Sequence, residues 1–419
     1  MSSSLSQRRS SARSKSPART VVGGTSEESE AATRQKWASW TLRVKTTLYM
    51  IGGFLLIIYL GHWALVAAVI AMSVLGFSEI EALMRAKAKT EALPVGSRAL
   101  TWYWFALTSF FMHGRILILE YGDRLVPPTT LGGLLAWLPL VPRYHTFVSF
   151  CGFVFGFVAF VLLLKPTMYK VQFKQLAWTW MALFLVVSQA SFWAANTLDG
   201  LIWMMFPASL VICNDCMAYV FGFFFGRTPL IALSPKKTWE GFIGGGLSTL
   251  VWAMIFSTTL ARFDSIVCPR QDPWAWPTTC ARNPVFDVQE LPLPADVTAA
   301  FALVGVSLRS VFVRPIMLHA LVFACFAAVI APFGGFFASG FKRAFKLKDF
   351  ADTIPGHGGI LDRMDCQFIM GTWTAIYVRS FISTRYTVAY LAMLISHLPL
   401  AEQLELRTVL GNAIDAKTA

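Results

Sequence analysis

Charge is scarce in this chain: Asp, Glu, Lys and Arg make up 14% of its 419 residues, against 56% hydrophobic residues. A water-soluble globule carries nearer a quarter charged residues, so the deficit excludes that class. Acid is scarcer than base, 23 residues against 36, leaving a formal net charge of +13. The surplus is no nucleic-acid signal, because no basic stretch is set in a recognisable nucleic-acid-binding pattern. The pair Cys213-x-x-Cys216 lacks the second pair of Cys or His ligands that a zinc site needs, and it lies within an apolar run. Gly241 to Gly246 is followed by no Gly-Lys-Ser/Thr, which excludes a Walker loop and leaves small residues at a helix interface.

What is present is a series of apolar stretches near the roughly 20 residues that a bilayer requires of a helix. They run over 42–61, 63–83, 99–116, 144–164, 175–196, 200–226, 241–260, 315–338 and 366–384. The expected fold is all-α, a polytopic integral membrane protein with about nine transmembrane helices. Leu48 to Ser78 holds no charged residue and reads as a tight hairpin turning near Gly61 and His62, with Arg43 and Lys45 snorkelling to extend the first span. Ahead of it, 1–41 reads as a disordered cytosolic tail, Ser-rich, with an Arg cluster followed by Glu27, Glu28 and Glu30. That acidic patch argues against an organelle transit peptide. The rest divides into N-terminal transmembrane helices over 42–196, a second transmembrane region over 197–384, and a C-terminal amphipathic tail over 385–419.

Two spans separate segment 227–240 from segment 339–365, so both lie on one side of the membrane. Arg227, Lys236 and Lys237 in the first, with Lys342, Arg343, Lys346 and Lys348 in the second, assign that side to the cytosol. The charge-balanced segment 261–313 then faces the lumen. Cys268 and Cys280 fall there, where a disulfide can persist, although spacing alone leaves the bridge open. The other cysteines lie in or beside spans and read as small packing residues.

Polar residues gather in two places. Asn214 and Asp215 stand inside an apolar span, one or two turns from its cytosolic end, where a charge costs about 3 kcal/mol on insertion scales and marks function. Tyr219, four residues on, shares Asp215's helical face. Downstream, Ser234-Pro235-Lys236-Lys237 offers two ammonium groups beside a rigid turn, an arrangement suited to phosphate oxygens. The second cluster, 339–365, holds Ser339, Lys342, Arg343, Lys348, Asp349, His357, Asp362, Arg363 and Asp365. Asp362 and Asp365, at i and i+3 on a helix beginning near Ile360, put two hard carboxylates on one face, which suits Mg2+. The turn Pro355-Gly356-His357-Gly358-Gly359 lets backbone approach an anion closely, and His357 is placed to donate to a leaving phosphate.

The run S-x-x-K-R-x4-K-D-x4-I-P-G-H-G-G-I-x-D-R-x-D from Ser339 to Asp365 resembles the signature of the CDP-diacylglycerol synthases, or phosphatidate cytidylyltransferases. N-D-x-x-A-Y-x-x-G-x-x-x-G from Asn214 and S-P-K-K-T-W-E-G from Ser234 are similar to the same family. The detailed match covers about 197–247 and 331–371, and the K-K-T-W-E-G form with its long luminal insertion resembles the eukaryotic branch. One departure is Gly335, near which bacterial members carry an acidic residue.

The resemblance implies a nucleotidyltransferase of the endoplasmic reticulum membrane whose site faces the cytosol and whose partners are CTP, phosphatidate and the lipid bilayer, with Mg2+ as cofactor and a homodimeric state. The product, CDP-diacylglycerol, serves phosphatidylinositol and phosphatidylglycerol/cardiolipin synthesis. Asp215, Asp362 and Asp365 are the expected metal ligands. Ser234, Lys236, Lys237, Ser339, Lys342, Arg343, Lys348 and Arg363 are the expected phosphate contacts, with His357 a secondary donor and Asp349 a ligand or an orienter of Lys348. Two other readings stay open: a lipid or ion transporter, and a CTP-dependent lipid kinase. A CDP-alcohol phosphotransferase is disfavoured because its D-G-x-x-A-R motif is missing.

Overall fold

A left-handed glycine makes the first turn: Gly61, at φ 94°, closes α1 (Ser26–Leu60) and opens α2 (His62–Ala88). Its N–H returns to the Ile57 and Ile58 carbonyls at 3.1 and 3.0 Å, which ends the first helix. Glycine takes that conformation without a Cβ penalty, and the charge-free run becomes the expected hairpin. The structure, a computed structural model, describes residues 26–88, 96–125, 140–269, 280, 282–292, 295–296, 298, 303, 310–356, 358–382, 395–396 and 398–418.

α3 (Ser97–Leu125) and α4 (Leu140–Leu162) form the next pair, followed by α5 (Tyr169–Leu183), which continues through a π-helical turn at Phe184–Ser188 into α6 (Gln189–Leu198). α7 (Ile202–Phe225) leads into an antiparallel hairpin, β1 (Pro229–Ile231) with β2 (Ser234–Thr238), and then α8 (Trp239–Leu260). Beyond the short α9 (Asp264–Val267), β3 (Gln289–Pro292) pairs antiparallel with β4 (Ser310–Val313). α10 (Ile316–Val329) and α11 (Pro332–Ala344) form a broken helix with Pro332 at the start of its second half. α12 (Leu361–Tyr377) runs on through a π-helical turn to Ile382, and α13 (Leu400–Thr418) follows.

The described residues of each expected apolar stretch are mainly helical, and the architecture is all-α and polytopic. Among the described residues six helices are long and apolar enough to cross a membrane, and Val44–Leu60 is a shorter apolar helix. The other expected spans, 42–61, 99–116 and 366–384, fall on α1, α3 and α12, and α12 proper has 17 residues before its π-helical turn. Two expected boundaries shift. The stretch read as a tail is helical from Ser26 on, its Ala, Glu, Arg and Lys being good helix formers. Ser339, Lys342 and Arg343 are helical rather than in a loop, since α11 runs to Ala344. α13 is a helix on which the exposed Leu400, Leu404, Leu410 and Ile414 share one side, but Arg407 falls within that stripe and Val409 lies opposite it, so the apolar face is interrupted.

The core lies where α7, α8, α10 and α12 meet, built on Phe206, Leu210, Phe323 and Met370. A second cluster joins α2 to α6, and a third joins α2, α3 and α5 to Leu361 of α12. α7 and α8 approach through small residues, as the glycine run suggests. A Cβ added at Gly241 would stand 2.6 Å from the Ala218 carbonyl, and one at Gly245 would stand 3.0 Å from the Asn214 carbonyl. On the far side, Cys268 and Cys280 are joined in a disulfide. There Arg282 pairs with Asp264 at 2.7 Å and Arg314 donates to the Phe286 carbonyl at 2.7 Å, tying the segment to the helix ends.

Candidate active site

Asp215 reaches the site from within α7. The helix runs on to Phe225, so this carboxylate stands nearly three turns from the helix end, deeper than the sequence suggests. It is exposed, but to a cavity of about 610 Å³ that it lines together with Asn214, Tyr219, Ser234, Lys237 and Phe336. Tyr219 shares Asp215's face as expected from their spacing.

The β1–β2 hairpin folds back over the end of α7 and aims Ser234 and Lys237 into that cavity. Two side chains of K-K-T-W-E-G fix it. Thr238 caps α8 by accepting the Gly241 N–H at 3.2 Å. Glu240 accepts the N–H groups of Arg227 and Thr228 at 3.1 and 3.2 Å and the Thr228 hydroxyl at 2.7 Å. Gly226 makes room for this arrangement, because a Cβ there would stand 2.8 Å from Thr238 Oγ1. Lys236 lies on β2 beside Lys237.

The second cluster arrives on α11 and α12. Lys237 Nζ stands over the Phe336 ring of α11, 4.8 Å from its centroid, and a Cβ at Gly340 would meet Leu233 at 3.4 Å. Asp215 feels the charges of Lys237, Asp365 and Arg363, and Asp365 feels those of Lys342 and Lys237. The two stretches read as separate clusters therefore converge on one electrostatic centre. Asp365 is steadied by the Cys366 N–H, which its Oδ1 accepts at 2.8 Å.

α11 must cross α12 closely for this. A Cβ at Gly334 would lie 2.3 Å from the Asp365 carbonyl, and one at Gly335 would lie 3.4 Å from Asp365 Oδ2. Gly335 thus borders the carboxylate directly. Gly334→Val should force the helices apart at a cost of about 1–3 kcal/mol, seen as a lower melting midpoint in detergent; an unchanged midpoint would contradict the crossing.

The remaining expected site residues separate. Asp362 is engaged within the protein: Lys342 Nζ donates to Oδ1 at 2.6 Å, while the N–H groups of Phe350 and Gly359 donate to Oδ2 at 2.9 and 3.0 Å. Its side chain is 4% exposed, and these bonds tie Phe350 and Gly359 to α12. Ser339 is half-buried one turn before Lys342 and Arg343, and Arg343 is exposed. Lys348 is 92% exposed and stands 4.0 Å from Asp349, a surface pair of little energetic weight. Arg363 is exposed at the start of α12. His357 lies outside the described residues; around it Ile354 and Gly358 exchange N–H···O bonds of 2.8 and 3.1 Å, closing the turn.

Sequence reasoning misses Glu79 of α2. This carboxylate accepts from Ile360 N–H, Leu361 N–H and the Thr353 hydroxyl. Its signal is an acid inside an apolar run, the criterion that singles out Asp215. Phe336 and the clasp made by Glu240 are also unassigned in the sequence reading.

A cavity with a carboxylate, Asp215, and a lysine, Lys237, at its wall, and a second carboxylate, Asp365, acting electrostatically on the first, suits transfer between a polyanionic nucleotide and a substrate held at the bilayer. A family model described as the cytidylyltransferase family matches residues 41–381, and the chain belongs to that family of nucleotidyl-transferring enzymes. Among relatives, the chain is similar to phosphatidate cytidylyltransferase 1 of Arabidopsis thaliana, 42% identical over 386 residues that cover 92% of this chain and 90% of that one. It is also similar to phosphatidate cytidylyltransferase 1 of Homo sapiens, 43% identical over 350 residues, or 83% of this chain and 73% of the relative. Phosphatidate cytidylyltransferase 2 of Mus musculus is 41% identical over 350 residues, or 83% and 76%.

Proposed function

We propose that this enzyme transfers the cytidylyl group of CTP to phosphatidate, giving CDP-diacylglycerol and pyrophosphate. A phosphatidate oxygen attacks the α-phosphorus in line, the bond from that phosphorus to the bridging oxygen breaks, and pyrophosphate leaves with the electron pair. The nucleophile is already anionic, so the protein's contribution is positioning and charge neutralisation rather than a strong base. Lys237 and Ser234 at the cavity wall, with Lys342 and Arg363 acting electrostatically on its carboxylates, supply donors and positive charge to the triphosphate and the lipid phosphate, and the exposed Arg343 and Lys348 are assigned to the same role. Ser339, Lys236 and His357 belong to the same proposed phosphate-binding set.

The donor set suits Mg2+. Asp215 feels the like charge of Asp365, and a divalent cation between them would relieve that repulsion. Among the described residues no group of three or more His, Cys, Asp and Glu could hold a metal. Two carboxylates are enough for an ion that keeps its other positions for substrate phosphates and water. When bound, Mg2+ neutralises charge along the triphosphate. We assign Asp215 and Asp365 to it, and Asp362 to the loop.

The observation that carries this reading is a cavity lined by Asp215 and Lys237, with Asp365 acting electrostatically on Asp215, in a chain whose relatives are named phosphatidate cytidylyltransferases. The proposed location is the endoplasmic reticulum membrane with the site facing the cytosol; the basic segments and the disulfide on the opposite side support that orientation. The homodimer and the supply of phosphatidylinositol and phosphatidylglycerol/cardiolipin synthesis rest on the family resemblance. Purified protein given labelled CTP, phosphatidate and Mg2+ should form CDP-diacylglycerol and release pyrophosphate, and EDTA should stop both. Release of CDP would identify a lipid kinase, and neither product would leave a transporter.

A further inference from the structure

α12 begins without a local side-chain cap at Ile360, although a helix start leaves N–H groups in need of acceptors. Glu79 of α2, 281 residues away in sequence from Ile360, supplies them. Its Oε1 accepts the Ile360 N–H at 2.8 Å and the Thr353 hydroxyl, and its Oε2 accepts the Leu361 N–H at 3.1 Å. Glu79 is 5% exposed. The neighbouring acid Glu81 turns elsewhere, pairing with Arg85 of its own helix. Gly359 admits the cap, because a Cβ there would stand 2.6 Å from Glu79 Oε2. The last glycine of P-G-H-G-G thus has a cause inside the protein.

The loop between α11 and α12 is consequently held by two carboxylates. Asp362 grips Phe350 and Gly359 from within α12, and Glu79 grips Thr353 and the helix start from outside. Asp365 rides on the first turns of that helix. An ionised carboxylate on helix-start N–H groups makes charge-assisted bonds aligned with the helix dipole, and losing it leaves buried donors unpaired.

We propose that Glu79 is a positioning residue for cytidylyl transfer: by capping α12 from another helix it sets where Asp365 stands relative to Asp215 and Lys237. The inference rests on the reaction proposed above and gives Glu79 no contact with substrate. Full-length wild type, Glu79→Gln and Glu79→Ala would be compared in detergent and lipid. Gln keeps the size and one acceptor oxygen, so kcat should fall about tenfold for Gln and about a hundredfold for Ala, with KM for CTP and phosphatidate held within about twofold. Amide hydrogen exchange over 350–361 should quicken in Glu79→Ala while α7 and α8 keep wild-type rates. Wild-type kcat in both variants, or unchanged exchange over 350–361, overturns the proposal. Faster exchange throughout the protein also overturns it, because it would signal general unfolding rather than a local cap. If the wild type itself transfers no cytidylyl group, the functional reading fails, while the exchange comparison still decides whether Glu79 caps α12.

Discussion

Replacing Asp365 by Asn is expected to abolish turnover while making the resting protein slightly more stable. The amide preserves the shape of the side chain and can still accept the Cys366 N–H that Asp365 accepts at 2.8 Å. It removes one of two like charges that act on each other across the site. Removing the charge withdraws a proposed metal ligand, which should cost about 4 kcal/mol or roughly a thousandfold in rate. Stability should move the other way, because without metal the carboxylates repel each other in poorly solvated surroundings. Melting in EDTA should therefore match or exceed wild type, and Mg2+ should raise the wild-type midpoint but not that of the variant. Near-normal turnover would remove Asp365 from the metal site, and an early-melting variant would make it a structural residue.

Lys237→Ala should cost about 10²–10³-fold in kcat/KM for CTP, the range for removing one preorganised charge-stabilising donor. The ammonium lies over the Phe336 ring at the cavity wall, and its charge reaches Asp215 and Asp365. Loss of that cation leaves the carboxylates less compensated, so the Mg2+ concentration for half-maximal activity should fall while KM for CTP rises. Opposite movement of the two constants separates a phosphate-binding lysine from one that merely supports the fold. If both constants stay at wild-type values, Lys237 has no part in binding the nucleotide. Lys237→Arg should recover only part of the loss, since a planar fork replaces a rotatable point charge.

The membrane class and the meeting of two distant stretches are legible in the sequence for simple reasons. Apolar runs of bilayer length set the helices, and counting spans between basic segments puts both clusters on one side. Asp215 stands out because an acid in a membrane span demands a purpose. The same criterion fits Glu79, but nothing local to Glu79 names a partner far along the chain. Asp362 and Asp365 illustrate the limit of periodicity. Their spacing places them on one helical face, yet Phe350 N–H and Lys342 engage Asp362, whereas Asp365 accepts the Cys366 N–H and acts electrostatically on Asp215. The glycines behave similarly: their sequence reads as a cradle for an anion, and two of them face carboxylates of the protein itself.

The depth of Asp215 in α7 bears on how a lipid can react at all. Each methylene moved from hydrocarbon into water costs about 0.8 kcal/mol, so lifting two acyl chains out of a bilayer would demand on the order of tens of kcal/mol. The cavity at Asp215 lies below the helix end and is walled partly by Phe223, Phe242 and Phe336, so transfer there, as proposed, would spare the substrate that extraction. The headgroup would travel a short way inward while the tails stay solvated by their neighbours.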